Sequence, residues 1–158
     1  MKVIQFLENH SEEVIGSAVE ATRRAGLGHY NADGAVRTHH RLELLYSLTK
    51  QCLRTSDAES MIRHAGDVAM ERFYSGHDLR EVLMSFNVLE EAIWCEVLEN
   101  MAPDQYAEAM GKVSTVLNLG KDSLARTYVS LASKEKVATL DLKQLFKGVE
   151  WSGIPELI

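Results

Sequence analysis

Apolar residues recur every three or four positions from Pro103 to about residue 146, and no proline interrupts the run. Side chains with this spacing share one face of a helix, so the pattern predicts one very long helix, or one with a joint near Ser133. Pro103 suits its first turn. Because the run exceeds what one small core covers, it indicates a partner helix from a second copy of the chain. The stripe comprises Tyr106, Met110, Val113, Leu117, Gly120, Leu124, Leu131, Ala138, Leu142 and Leu145.

Four further helices are predicted before this one. They cover about residues 3–25, 35–54, 58–74 and 79–101, and a glycine-rich loop at 26–34 separates the first two. Gly76 suits a left-handed C-cap, and Asp78 suits the N-cap of the next helix, with Glu81 completing an approximate capping box. No segment alternates apolar and polar residues as a half-buried strand does. The chain is therefore predicted to be all-α, with about five helices.

Composition restricts the classes of partner. The chain has 158 residues, which suits one domain, and 17 basic against 23 acidic side chains give a net charge of −6. This balance argues against nucleic acid as the main partner. No apolar run approaches the roughly 20 residues that span a bilayer, and the N-terminus does not resemble a signal peptide. We expect no membrane insertion and a cytoplasmic location. Cys52 and Cys95 show no metal-ligand spacing and are expected to be buried.

The sequence offers little catalytic chemistry. His39 and Glu43 have the i, i+4 spacing of a two-ligand metal site, but no third ligand stands at a telling distance. Glu90 and Glu91 are expected to lie on a solvated face. Nucleophile elbows and phosphate-binding loops are not recognisable. Four arginines flank the first loop and are interpreted as solubilising rather than as an anion site: Arg23, Arg24, Arg37 and Arg41. We expect no catalytic residues, no metal site, no cofactor and no enzyme activity.

Two histidines keep a haem alternative open. His64 on the third helix and His77 in the following turn could each ligate haem in a globin-like fold, where imidazole is the usual proximal ligand. The simpler interpretation is a helix-surface or satisfied core histidine for His64 and a turn residue for His77.

The region around this turn resembles a known family. His64-Ala65, then Arg72-Phe73-Tyr74-Ser75-Gly76-His77-Asp78-Leu79-Arg80-Glu81-Val82-Leu83 and Leu89-Glu90-Glu91-Ala92-Ile93-Trp94, are similar to the N-terminal sensor domain of RsbR-type stressosome co-antagonists, which also precedes some bacterial histidine kinases. The opening segment 6–15, the loop around Tyr30 and the segments 123–128 and 134–136 resemble the family too. The resemblance covers most of residues 1–146.

This resemblance implies a globin-like bundle at 1–132, a signalling linker helix at 133–147 and an irregular tail at 148–158. It also implies no haem. In haem-binding globin-coupled sensors the proximal histidine lies about one turn before the corresponding glycine, where this chain has Glu71 and Arg72. A homodimer built on the last helices is implied as well. The predicted dimer and signalling residues are Trp94, Leu117, Leu124, Tyr128, Leu131, Ala138, Leu142 and Leu145.

The leading hypothesis is a non-enzymatic bacterial input domain for stress response or two-component signalling. It would dimerise and pass a signal through its C-terminal helix to an output domain, a regulatory protein or a kinase. A haem- or small-ligand-binding globin-like sensor is the alternative. A helical-bundle enzyme is a third hypothesis and would need several polar groups to converge in the core.

Overall fold

The computed structural model describes residues 2–26 and 28–139, with the backbone alone at 28–33, 35 and 135–139. These residues form six α-helices and one short 3-10 helix, and no strand occurs among them. The predicted all-α class is confirmed, whereas the globin-like arrangement stays a prediction. The elements are α1 (Val3–Asn9), α2 (Ser11–Ala25), α3 (Gly28–Thr55), α4 (Glu59–Tyr74), α5 (Leu79–Asn100), the 3-10 helix (Pro103–Gln105) and α6 (Tyr106–Thr139).

The first predicted helix is in fact two helices, α1 and α2. They meet at His10, whose backbone leaves the helical region at φ −113° and ψ 27°. Two side chains there bond to the carbonyls of the preceding turn: His10 Nδ1 lies 2.9 Å from Phe6 O, and Ser11 Oγ donates to Leu7 O at 3.0 Å. Such side-chain bonds offer the backbone an alternative to helix continuation, which apolar spacing alone does not reveal.

The predicted loop at 26–34 is mostly wrong. Helix α3 already begins at Gly28, and Gly34 (φ 79°, ψ 161°) is its one interruption. A positive φ of this kind is open to glycine at little steric cost. The glycines therefore mark a cap and a kink, with helical backbone between them.

The turn between α4 and α5 follows the prediction closely. Gly76 has φ 77°, its N–H bonds Phe73 O at 3.1 Å, and the N–H of His77 bonds Arg72 O at 3.0 Å. These two bonds define a Schellman motif. Asp78 Oδ1 then accepts from the N–H of Arg80 at 2.7 Å as the N-cap of α5. The turn thereby holds His77 in a fixed position at the end of α4.

The core forms where α6 packs against both α4 and α5. Gly66 of α4 lies beside Ser123 and Thr127, and Ser123 Oγ donates to Ile62 O at 2.7 Å. The chain turns at Pro103 after α5, and α6 runs back antiparallel along α5. At this corner Tyr106 OH donates to Leu98 O at 2.8 Å. Helix α2 packs on α5 and α3 and closes the other side of the bundle.

Helix α6 is continuous from Tyr106 to Thr139, so the joint that the sequence left open near Ser133 does not occur. The end of the predicted linker, 140–147, and the predicted tail at 148–158 lie outside the described residues. Among the helices described, none combines the length and the apolar character that a bilayer crossing requires.

Gly120 marks the tightest helix crossing. A Cβ at this position would lie 2.6 Å from Phe86 Cε1 and 3.1 Å from Met61 Cγ. Both neighbours are buried in the core and have little room to move. Only glycine lets α6 approach them this closely.

We expect Gly120→Ala to lower the free energy of unfolding by about 1–3 kcal/mol, although alanine is the better helix former, because the added methyl overpacks the crossing. Chemical denaturation measures the change. Gly111→Ala in the same helix is the matched control, since a Cβ there meets nothing within 4 Å. The control should raise the free energy by about 0.5–1 kcal/mol. Equal effects of the two substitutions would contradict the tight crossing.

Candidate functional site

The place where α6 leaves the bundle is organised by four side chains, Arg72, Phe73, His77 and Tyr128, which we call the exit cluster. The Tyr128 hydroxyl donates to the backbone carbonyl of His77 at 3.2 Å. Its ring meets Phe73 edge-on, with 5.6 Å between centroids and 83° between planes. The exit cluster therefore ties α6 to the turn that ends α4.

A charged group is buried in this cluster. Arg72 is only 7% exposed, and its Nη1 lies 3.4 Å from Nε2 of His77. Burying a guanidinium is costly unless polar partners surround it. Because the Schellman motif fixes His77 beside Arg72, the turn supplies one of the polar contacts of this guanidinium. The exit cluster thus links an electrostatic requirement to the position of α6.

Beyond Tyr128, α6 runs on as an extension of the bundle, residues 129–139, which we call the extension. At 1.5 Å per residue it is about 16 Å long. None of its described side chains is buried: Val129 is 61% exposed, Leu131 and Ala132 are half-buried, and Ser133 and Lys134 are exposed. Helices gain most of their stability from packing, so the extension is only weakly supported by the described residues.

The residues predicted for a dimer contact fall into three groups. Leu117, Leu124 and Tyr128 are buried in this chain's own core, against α4 and α5, so they are not available to a second copy while the bundle is closed. Trp94 is exposed and Leu131 is half-buried. The side chain of Ala138, and all of Leu142 and Leu145, lie outside the described residues.

Helix α5 carries an exposed apolar surface. Trp94 is 38% exposed and Leu98, one turn later, is 50% exposed, with the free thiol of Cys95 exposed between them. The predicted burial of Cys95 is therefore wrong, whereas Cys52 is buried as expected. Leu98 was not predicted as a contact residue, because the buried face of this helix runs through the neighbouring Val97. Its i, i+4 spacing from Trp94 was the available signal.

The predicted solvated carboxylate pair is also corrected. Glu90 is 9% exposed and forms an ion pair with Lys121 of α6 across the α5–α6 contact, whereas Glu91 is exposed. A pair of this kind fixes register, because removal of either partner leaves a buried charge.

A groove of about 850 Å³ lies at the opposite end of α6 from the extension. One wall is the first half of α6, and the other walls come from the start of α1 and from the turn that joins α3 to α4. Buried apolar groups of Cys52, Met101, Ala109 and Val116 contribute to it. Sequence reasoning missed this groove because its walls come from separate parts of the chain.

The two haem candidates do not converge on this groove. Neither His64 nor His77 contributes to it. His64 is half-buried on α4, where desolvation lowers the pKa of its imidazole. The N–H of His77 bonds the carbonyl of Arg72, so His77 lies next to Arg72. Arg72 is eight residues after His64 on α4, which places His64 and His77 about 12 Å apart along the helix.

The remaining candidates stay on the surface. His39 Nδ1 lies 3.5 Å from Glu43 Oε2 on an exposed face of α3, and within the described ranges no three His, Cys, Asp or Glu side chains are placed to hold a metal. Among the four arginines, exposed Arg23 bonds Glu20 at 2.6 Å. These observations leave the exit cluster and the groove as the sites with organised geometry.

Comparison of the chain with models of known protein families, with curated proteins and with solved structures found no match. The exit cluster and the groove are therefore interpreted from their own geometry.

We expect Tyr128→Phe to loosen the extension while the ring contact with Phe73 remains. Loss of one neutral hydrogen bond is worth about 0.5–1.5 kcal/mol, and the carbonyl of His77 would lose this donor. Hydrogen exchange should accelerate about two- to tenfold in the turn 75–78 and in 129–134. Amides of α2 should show no acceleration beyond that caused by the change in global stability. Uniform acceleration of all amides would show a general loss of stability and would contradict a local role.

Proposed function

We propose that the chain is a non-enzymatic regulatory domain that forms a homodimer and passes a signal through α6 to an output domain or partner protein. The observation that carries this proposal is the continuation of α6 as a helix to Thr139, past Tyr128, which is the last buried residue among the side chains of α6 that the structure describes. A helix that continues beyond the core of its own domain is expected to pack on another protein surface. In the sequence, the apolar stripe continues through Leu142 and Leu145 at heptad-like spacing, which favours a second copy.

The exposed apolar surface of α5 supports the same proposal. Trp94 and Leu98 lie on the helix that packs beside α6, and aromatic residues of this kind are common anchors of protein interfaces. We place the dimer contact there and along the extension, instead of at the buried Leu117 and Leu124. Two copies would then project their α6 extensions side by side.

In this proposal the exit cluster transmits the signal to α6. Movement of the turn 75–78 would reach α6 through the bond between Tyr128 and His77, because both ends of that bond are held by packed helices. A regulatory role in bacterial stress response or two-component signalling, in the cytoplasm, rests on the resemblance to RsbR-type sensor domains and is part of the proposal. A kinase or a scaffold protein is the expected binding partner that receives the signal.

The dimer is tested by sedimentation equilibrium of the full chain. We expect a dimer at micromolar concentrations and expect Leu98→Asp to weaken it at least tenfold, because a carboxylate would be buried in an apolar contact. Leu44→Asp on α3 is the matched control, since Leu44 is 44% exposed and lies on another helix. A wild-type chain that is monomeric at high micromolar concentration would contradict the proposal. A dimer unaffected by Leu98→Asp would contradict this location.

A small-ligand sensor is the second candidate, and the groove of about 850 Å³ is the observation that favours it. Its volume lies within the range of roughly 300–1,000 Å³ that small-molecule sites occupy. Haem itself is not favoured as the ligand, since neither candidate histidine reaches the groove.

Absorbance before and after addition of haemin tests the haem version. We expect no Soret band in the purified chain and no saturable binding of haemin, because His64 and His77 lie apart and outside the groove. A sharp Soret band that is lost in His64→Ala or His77→Ala would replace the leading proposal with a haem sensor.

A further inference from the structure

The groove is lined by apolar side chains together with a few charged ones, which favours a ligand that has both kinds of group. Its deeper surface is apolar and is formed by side chains that are otherwise excluded from water, among them Cys52 and Val116. Leu119, which is 39% exposed, extends this apolar surface outward along α6. An apolar body that fills the groove would remove these groups from water, which favours binding in proportion to the area covered.

The charged side chains that line the groove differ in whether they have polar partners. Lys112 forms an ion pair with Glu108, and Asp57 accepts from the N–H of Glu59 at 3.0 Å. Lys2 also borders the groove, and within the described part of the chain its ammonium makes no ion pair or hydrogen bond. The lining also contains the carboxylate of Asp57, so its formal charges balance. Lys2 is the cation among the described lining residues that has no carboxylate partner, and a ligand with a single negative charge would supply one.

The groove wall also contains a strained residue. Ser56 has φ 54°, the left-handed conformation, in the turn where the N–H of Asp57 bonds Cys52 O at 3.2 Å. Glycine would serve this C-cap at lower cost. Ser56 also lines the groove, and backbone strain of this kind occurs often at binding sites.

We propose that the groove binds a free amphiphile with an apolar body and one anionic group. The apolar body lies against the first half of α6, and the anionic group is placed near Lys2. Most of the affinity comes from the apolar body. Because Lys2 is exposed, its ion pair adds only a preference of about two- to fivefold for the charged ligand. That binding provides the input signal rests on the proposed regulatory function, whereas the binding itself does not.

Decanoate is the probe, and calorimetric titration of the full chain gives its dissociation constant. We expect saturable binding at one site per chain. Leu119→Asp should weaken it at least tenfold, because the substitution removes apolar wall and adds a negative charge. Leu44→Asp is the matched control, with similar exposure on a helix outside the groove, and should change binding less than twofold. Circular dichroism of each variant confirms that it is folded.

Decanol, which has the same chain without the charge, tests the anionic assignment. Wild-type protein should prefer decanoate two- to fivefold, and Lys2→Gln should abolish this preference while it leaves decanol binding unchanged. Equal binding of decanoate and decanol to the wild type would overturn the anionic assignment. Decanoate binding that Leu119→Asp does not weaken would overturn the site, and absence of saturable binding would overturn the proposal as a whole.

Phosphatidylglycerol vesicles separate a free ligand from a membrane surface. We expect the chain to stay in solution when vesicles are sedimented, and retention on vesicles without decanoate binding would overturn the choice of a free amphiphile. Failure of these titrations leaves the sedimentation result for the dimer unaffected, so the groove and the proposed regulatory function fail separately.

Discussion

The close crossing of α6 with α4 and α5 at Gly120 sets the geometry of the rest of the molecule. With no side chain on Gly120, the helix lies directly against Phe86 and Met61. The next residue, Lys121, meets the buried carboxylate of Glu90, so position and rotation of α6 are fixed together. Two turns later the same rotation brings Tyr128 to the turn at His77. The exit cluster thus depends on a glycine that is eight residues away.

This arrangement divides α6 into parts with different roles. The first half forms a wall of the groove, the middle is held by the crossing, and the described side chains of the extension are exposed or half-buried. Packed protein interiors are dense and deform little. A displacement at one end of a helix that is held in its middle is therefore expected to move the other end. Transmission still requires two arrangements of the bundle that a ligand or partner distinguishes. The bond between Tyr128 and His77 is the contact most directly placed to differ between them.

Periodicity predicted what repeats locally. It identified most of the helical stretches, and residue types identified the turn at Gly76 and Asp78. It did not predict the break at His10, where side-chain bonds to nearby carbonyls compete with the helix, or the helical backbone after Gly28. An apolar stripe also does not reveal which helix covers it. Leu117 and Leu124 are buried in the core of this chain, and that outcome depends on tertiary packing. Glu90 pairs with a lysine 31 residues later, beyond the reach of local patterns.

The groove illustrates the same limit in a candidate site, because three separated segments form it and no single one carries a motif. Its position gives it a physical route to the exit cluster. Ala58, just before α4, and Leu119, on α6, both border the groove, and these two helices next meet at the Gly120 crossing. A ligand that contacts both helices stabilises one relative position of α4 and α6. The turn that ends α4 and the exit of α6 then share that preference, since both lie on the same pair of helices. Coupling follows only to the extent that the ligand binds one position more tightly than the other.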